Sequence, residues 1–151
     1  SERWFTSLVN MGVTPVYAEM LLPTAIKAVY NWCRNKTLRT LTDNSTLKAS
    51  ELVLSCVEDS NDGGDVKKVI LDRLLVDQYG IHWVVDYKIL VDDGDEGKVS
   101  AAIDTYRSQL ENYARIISQM KGNEKTLSGD PIKCALYFPV TDLWHAWDYS
   151  Y

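Results

Sequence analysis

The sequence predicts an α/β domain, and three observations carry that expectation. Residues 66–76 and 81–90 are β-branched, apolar runs separated by Gln78-Tyr79-Gly80, a short loop ending in the glycine that a three-residue hairpin uses. Ile103, Tyr106, Leu110, Tyr113, Ile117 and Met120 recur every three or four positions, the period of one apolar helix face. The chain has 151 residues, 46% of them apolar or aromatic, enough for the core of a single domain.

In chain order, residues 4–11 read as the continuation of something longer, and with Ser1 in place of Met they suggest a fragment of a larger protein. Pro15 after Thr14 suits a helix start, and apolar residues at helical spacing follow as far as Asn35. Pro23 is expected to break that stretch in two, leaving 24–35 as a packed amphipathic helix. Residues 37–50 are polar and turn-prone, so 1–50 reads as N-terminal helices followed by a connection, and 51–149 as the core. The segment 51–57, rich in Leu and Val, reads as a strand, and the Asn61-Asp62-Gly63-Gly64-Asp65 cluster as a sharp turn. After the hairpin come an acidic, glycine-containing loop at 92–97, the long helix, and a polar loop at 121–130. A strand at 131–139 and a short one at 143–149 close the chain. No internal repeat is present.

Composition narrows the function classes. The net charge of −5 has the wrong sign for a domain that grips nucleic acid by bulk electrostatics, so any such binding is local, metal-assisted or shared with attached domains. Cys33, Cys56 and Cys134 are odd in number and far apart, which argues against a disulfide framework or a metal knuckle; each is expected to be a small buried hydrophobe. Apolar stretches are short and interrupted by charge, and no export signal is recognisable. A soluble, cytoplasmic protein with no membrane partner is the expectation.

The hairpin is also where the chemistry concentrates. Asp72 and Asp86 lie seven residues either side of Tyr79, the middle of the loop, so the two carboxylates should face each other across the ladder. Opposed residues on one face have Cβ atoms about 5 Å apart, and like charges there are destabilising unless something compensates. A bulge at Gly80 could shift the register by one step without separating the pair widely. Lys88, two residues past Asp86, projects to the same face. A divalent cation is the natural compensation, because Mg²⁺ takes one or two hard carboxylates together with waters and a substrate phosphate. An ammonium beside that ion suits phosphodiester hydrolysis, orienting a water or steadying developing negative charge. The bland alternative is a pair of solvated carboxylates with Lys88 matched to one of them. The apolar flanks Val69-Ile70-Leu71 and Trp83-Val84-Val85 weigh against it, since acids embedded at matching depth in a buried hairpin are costly without a purpose. His82 shares the face of Asp86 farther back and reads as a strand residue. On the long helix, Gln109 and Tyr113 are four apart and can reach a common target, although periodicity alone makes Tyr113 core and Gln109 a boundary residue.

Ile70-Leu71-Asp72-Arg73, Trp83-Val84-Val85-Asp86-Tyr87-Lys88, the helix stretch 106–114 containing Gln109 and Tyr113, and Leu136-Tyr137-Phe138-Pro139 with Trp144 and Trp147 form an ordered set. In that set the chain resembles a RecB/AddA-type nuclease domain of the PD-(D/E)xK superfamily, the module at the C-terminal end of UvrD-like DNA helicases. The resemblance covers about 51–147. It implies a restriction-endonuclease-like fold, a central mixed sheet flanked by helices. It further implies Mg²⁺ or Mn²⁺ ligation by Asp72 and Asp86, and a catalytic Lys88. It gives Gln109 and Tyr113 a role in supporting the site and contacting DNA. Glu51 sits where the family often has an acidic residue opening the preceding strand. The implied activity is exonucleolytic trimming of DNA ends, single-stranded ones as the expected substrate, during double-strand-break repair. It is coupled to an ATP-driven helicase in the same polypeptide or complex, and no ATP-binding P-loop occurs in this chain. Two departures from the family stand out: no histidine precedes His82, where many relatives supply one as a further ligand, a place Glu51 could take; and Ile89 and Leu90 follow the triplet where relatives usually carry Thr or Ser. Three scattered cysteines argue against the iron–sulfur cluster of some relatives.

Overall fold

A computed structural model describes residues 2–58, 65–90, 96–122 and 131–150. Helix α1 (Glu2–Asn10) leads through Gly12, at φ +91°, into α2 (Pro15–Arg34), which opens at Pro15 as its fixed φ favours. Contrary to expectation, α2 runs through Pro23 without a break. The proline removes one hydrogen bond, but the flanking turns are rich in Ala, Leu and Met, strong helix formers that carry the helix past it. Its C-terminal half is also less deeply packed than expected. Only Ala28 is buried there, while Ile26, Tyr30, Trp32 and Cys33 are exposed. The half is tied to the sheet by hydrogen bonds from Asn31 Nδ2 to Pro139 O (2.8 Å) and from Asn35 Nδ2 to Asp142 Oδ1 (2.8 Å).

A third helix, α3 (Lys36–Asn44), occupies most of the stretch expected to be a polar connection. Asn35 caps it by accepting from Leu38 N at 2.8 Å, and Leu38 and Leu41, three residues apart, are its two buried residues. The polar residues between them simply face outward.

Five strands form one mixed sheet in the order β1-β2-β3-β4-β5: β1 (Leu47–Glu58), β2 (Asp65–Val76), β3 (His82–Tyr87), β4 (Ile132–Phe138) and β5 (Leu143–Tyr149). β3 and β4 are parallel and the other pairs antiparallel. The parallel pair needs a crossover, which α4 (Glu96–Gly122) provides. The expected turn at 61–65 falls largely outside the described residues, as do most of the loops expected at 92–97 and 121–130. The second hairpin strand ends at Tyr87, three residues short of expectation, although Lys88 N still donates to Tyr137 O at 3.0 Å. One face of the sheet packs on α4 through Val84, Cys134, Leu136 and Phe138 against Leu110, Ala114 and Ile117. The other gathers Leu75, Val85 and Ala135 beneath Leu41 of α3. Among the described residues no helix is long and apolar enough to cross a membrane.

The β2–β3 turn is organised by Asp77. Its Oδ1 accepts from Tyr79 N (2.9 Å) and Ile81 N (3.0 Å), its Oδ2 from Trp83 Nε1 (3.0 Å), and Gly80 takes the left-handed conformation at φ +80°. Burial works to raise the Asp77 pKa, but the three donors and the Lys133 charge outweigh it, so the carboxyl titrates below 3.8. A depressed carboxyl stabilises the fold above its unfolded pKa and loses that contribution as pH falls through the folded one. Asp77→Ala strands three donors and is expected to cost about 2 kcal/mol at neutral pH. In urea denaturation, the gap between variant and wild type should shrink as the pH drops below about 4.

Candidate active site

The turn fixes the register, and the register builds the site. The ladder pairs Val76 with His82, Leu75 with Trp83, Leu74 with Val84 and Arg73 with Val85. One step further along the same register stands Asp72 opposite Asp86, the placement expected from the sequence. The two carboxyl groups are near enough that each shifts the titration of the other, and Tyr87 N donates to Asp72 Oδ2 at 3.2 Å. Asp86 is 5% exposed, the one buried charged residue among those described.

Lys88, one residue past the end of β3, joins them. Its Nζ lies 2.7 Å from Asp86 Oδ2, a close ion pair at a buried oxygen. The ammonium also sits over the ring of Tyr106 on α4, 4.3 Å from its centroid. Beyond Lys88 opens a cleft of about 200 Å³ between the end of β3 and the first half of α4, walled by Leu90, Ala101, Ala102, Thr105 and Phe138. The ammonium therefore stands between the buried Asp86 carboxylate and an open space.

The electrostatics follow from this packing. Burial, then the neighbouring Asp72 carboxyl, raises the Asp86 pKa to about 6, although Lys88 pulls the other way. The Asp86 carboxyl lowers the Asp72 pKa, helped by the Tyr87 N–H and the Lys88 charge against the opposing effect of burial. Two acids that cannot both ionise cheaply at this separation divide the roles: Asp72 is the anion and Asp86 holds the shared proton longest.

The remaining expected residues are placed differently. Gln109 Nε2 donates to Tyr113 OH at 2.6 Å, so the pair meets as its spacing suggests. Tyr113 is a core residue and Gln109 is exposed, which matches the reading from periodicity alone. Glu51 holds the β1 position opposite Asp72, between the pairs Ser50–Arg73 and Leu52–Leu71, but its backbone is left-handed (φ 51°) and its side chain is exposed. Among the described residues no third Asp, Glu, His or Cys joins the two aspartates. His82 is drawn to the turn, its Nδ1 3.2 Å from Gly80 O. Cys134 is buried as expected, with its thiol pushed up to about 12 by burial, whereas Cys33 is exposed on α2 and the side chain of Cys56 lies outside the described residues. Tyr106 is the contributor that sequence reasoning passed over as one more residue of the apolar stripe. Its position three residues before Gln109, on the helix face turned to the sheet, was the available signal. No family model matches this chain, and no curated protein is significantly similar to it.

Proposed function

We propose that this domain is a metal-dependent DNA nuclease with a PD-(D/E)xK fold of the RecB/AddA type, hydrolysing phosphodiester bonds at DNA ends. The observation that carries this reading is the Asp72–Asp86 pair, Asp86 buried and Asp72 half-buried, with the Lys88 ammonium 2.7 Å from Asp86. The five-stranded mixed sheet with helices on both faces is compatible with that fold. The donor set fits Mg²⁺ or Mn²⁺: two neighbouring carboxylates, one of them buried, suffice for an ion that completes its shell with water and phosphate. Asp72 and Asp86 would hold it. When bound, such an ion polarises the phosphate and lowers the pKa of a coordinated water.

The chain's own residues supply the rest. Lys88, poised at the mouth of the cleft, orients the attacking water or meets charge developing on the phosphate. Asp86 must lose its proton to serve as a ligand, so affinity for the cation should weaken as pH drops through about 6, and activity should fall with it when the metal is subsaturating. With a net charge of −5, the grip on DNA is local, and an attached ATP-driven helicase would deliver the strand. Gln109→Ala removes the partner of the Tyr113 hydroxyl and not a ligand. It is expected to slow cleavage by only a fewfold, and to cost about 1 kcal/mol of stability in a denaturant titration.

The test is incubation of end-labelled single-stranded DNA with Mg²⁺ or Mn²⁺ at pH 8, beside an EDTA control. EDTA-sensitive shortening of the label supports the nuclease. The alternative is a nuclease-derived module that binds single-stranded DNA or a partner subunit without cutting; among the described residues no third ligand stands beside the aspartates. Binding with no shortening would select it, and neither binding nor cleavage would overturn both.

A further inference from the structure

The Lys88 ammonium has two neighbours of different kinds: the Asp86 carboxylate at 2.7 Å and the face of the Tyr106 ring at 4.3 Å. The carboxylate is a strong partner, but under the proposed function it is also a metal ligand, and a carboxylate engaged by a cation has less to offer a lysine. The ring face has no such second task. Tyr106 is half-buried on α4, against the same core cluster that covers the sheet, so its ring is fixed where the ammonium needs it. It also lines the cleft beside Lys88 together with Ala101, Ala102 and Thr105. Lysine carries a long stem with several rotatable bonds, and an ammonium held at one end only would sample many positions. An aromatic face attracts it through the ring quadrupole and still leaves its N–H donors free for a water or a phosphate oxygen.

We propose that Tyr106 is a positioning residue, whose ring face holds the Lys88 ammonium at the mouth of the cleft and aims it at the reacting phosphate. The role belongs to the ring and not to the hydroxyl. This inference rests on the nuclease reading for its catalytic consequence, but the placement of Lys88 can be read independently of activity.

Two variants separate ring from bulk. Tyr106→Phe keeps the aromatic face, and Tyr106→Leu keeps apolar volume without it. The independent readout is the NMR signal of the Lys88 ε-methylene protons, assigned by its loss in Lys88→Arg. Beside the ring these protons should be shifted upfield in wild type and in Tyr106→Phe, and should return to the ordinary lysine position in Tyr106→Leu. In the single-stranded DNA assay, kcat should stay within about twofold for Phe and fall about tenfold for Leu, with KM little changed, as expected for a contact that orients a catalytic group. Should the Leu variant fail to fold, trifluorophenylalanine at position 106 preserves the shape while draining electron density from the ring face. It should lower kcat relative to Phe. An unshifted Lys88 signal in wild type, or a Leu variant that keeps the shift, would overturn the proposal, as would a Phe variant as impaired as Leu. If the wild type does not cleave DNA, the nuclease reading fails and the Lys88 shift alone decides where the ring holds the ammonium.

Discussion

Lys88→Ala should reduce DNA cleavage by about 10²- to 10³-fold, the usual loss when one preorganised donor to a developing oxyanion is removed. The geometry separates this effect from metal affinity. Lys88 touches Asp86 and Tyr106 and lines the cleft, but an ammonium is not a ligand. Removing a positive charge 2.7 Å from Asp86 should leave cation binding intact or slightly tighter at pH 8, where Asp86 is ionised. The expected signature is a large loss in kcat with a normal Mn²⁺-induced rise in melting temperature. Wild-type turnover by this variant, with contaminating nucleases excluded, would remove Lys88 from the mechanism. Loss of the Mn²⁺ response together with turnover would assign it a structural role.

Asp86→Asn should separate the cost of the site from its use. Without metal, a carboxyl whose pKa is raised to about 6 binds its proton more tightly in the folded chain than in the unfolded one, where 3.8 applies. The sign is the reverse of the usual carboxylate: stability is highest below about 4, declines as pH rises, and is fully reduced above about 6. The size of that loss is about 3 kcal/mol, lessened by the opposite shift of Asp72. Asparagine mimics the protonated acid, and its amide can still donate to Asp72. The metal-free variant should therefore melt no lower than wild type at pH 8, and its stability should lack the decline between pH 4 and 6. With free Mn²⁺ a hundredfold above Kd, wild type gains about 2.7 kcal/mol, on the order of 5 to 10 °C for a chain of this size, and the variant should gain little. Equal Mn²⁺ responses would take Asp86 out of the metal site.

The hairpin was legible because its information is local. Two apolar runs mirrored about Tyr79, with a glycine able to take φ +80°, leave one register that keeps the apolar faces together. That register alone places Asp72 opposite Asp86, and strand alternation adds Lys88. The long helix was equally plain, because its apolar period runs through several turns. Helix α3 was not. Its burial rests on Leu38 and Leu41 alone, and the polar residues around them look like a connection until the Asn35 cap is recognised. Pro23 misled in the other direction, since the general cost of an internal proline does not reveal which helices bear it.

The less legible parts of the site are those set between elements. Nothing in the spacing of Tyr106 and Lys88 says that α4 crosses the sheet where the ring meets the ammonium. Glu51 shows the converse: its register position is opposite Asp72, but a left-handed backbone at that residue leaves the side chain exposed, away from the pair. Gln109 and Tyr113 found each other as i, i+4 neighbours must, while the tyrosine was claimed by the core.

Whether the Asp72–Asp86 pair holds a cation is read from the anomalous scattering of manganese in crystals of the chain soaked with Mn²⁺. A single peak within coordination distance of one oxygen from each carboxylate, with the Lys88 ammonium beside it, is the expected result. A soaked crystal with no peak there, and with Asp72 and Asp86 still side by side, would contradict it.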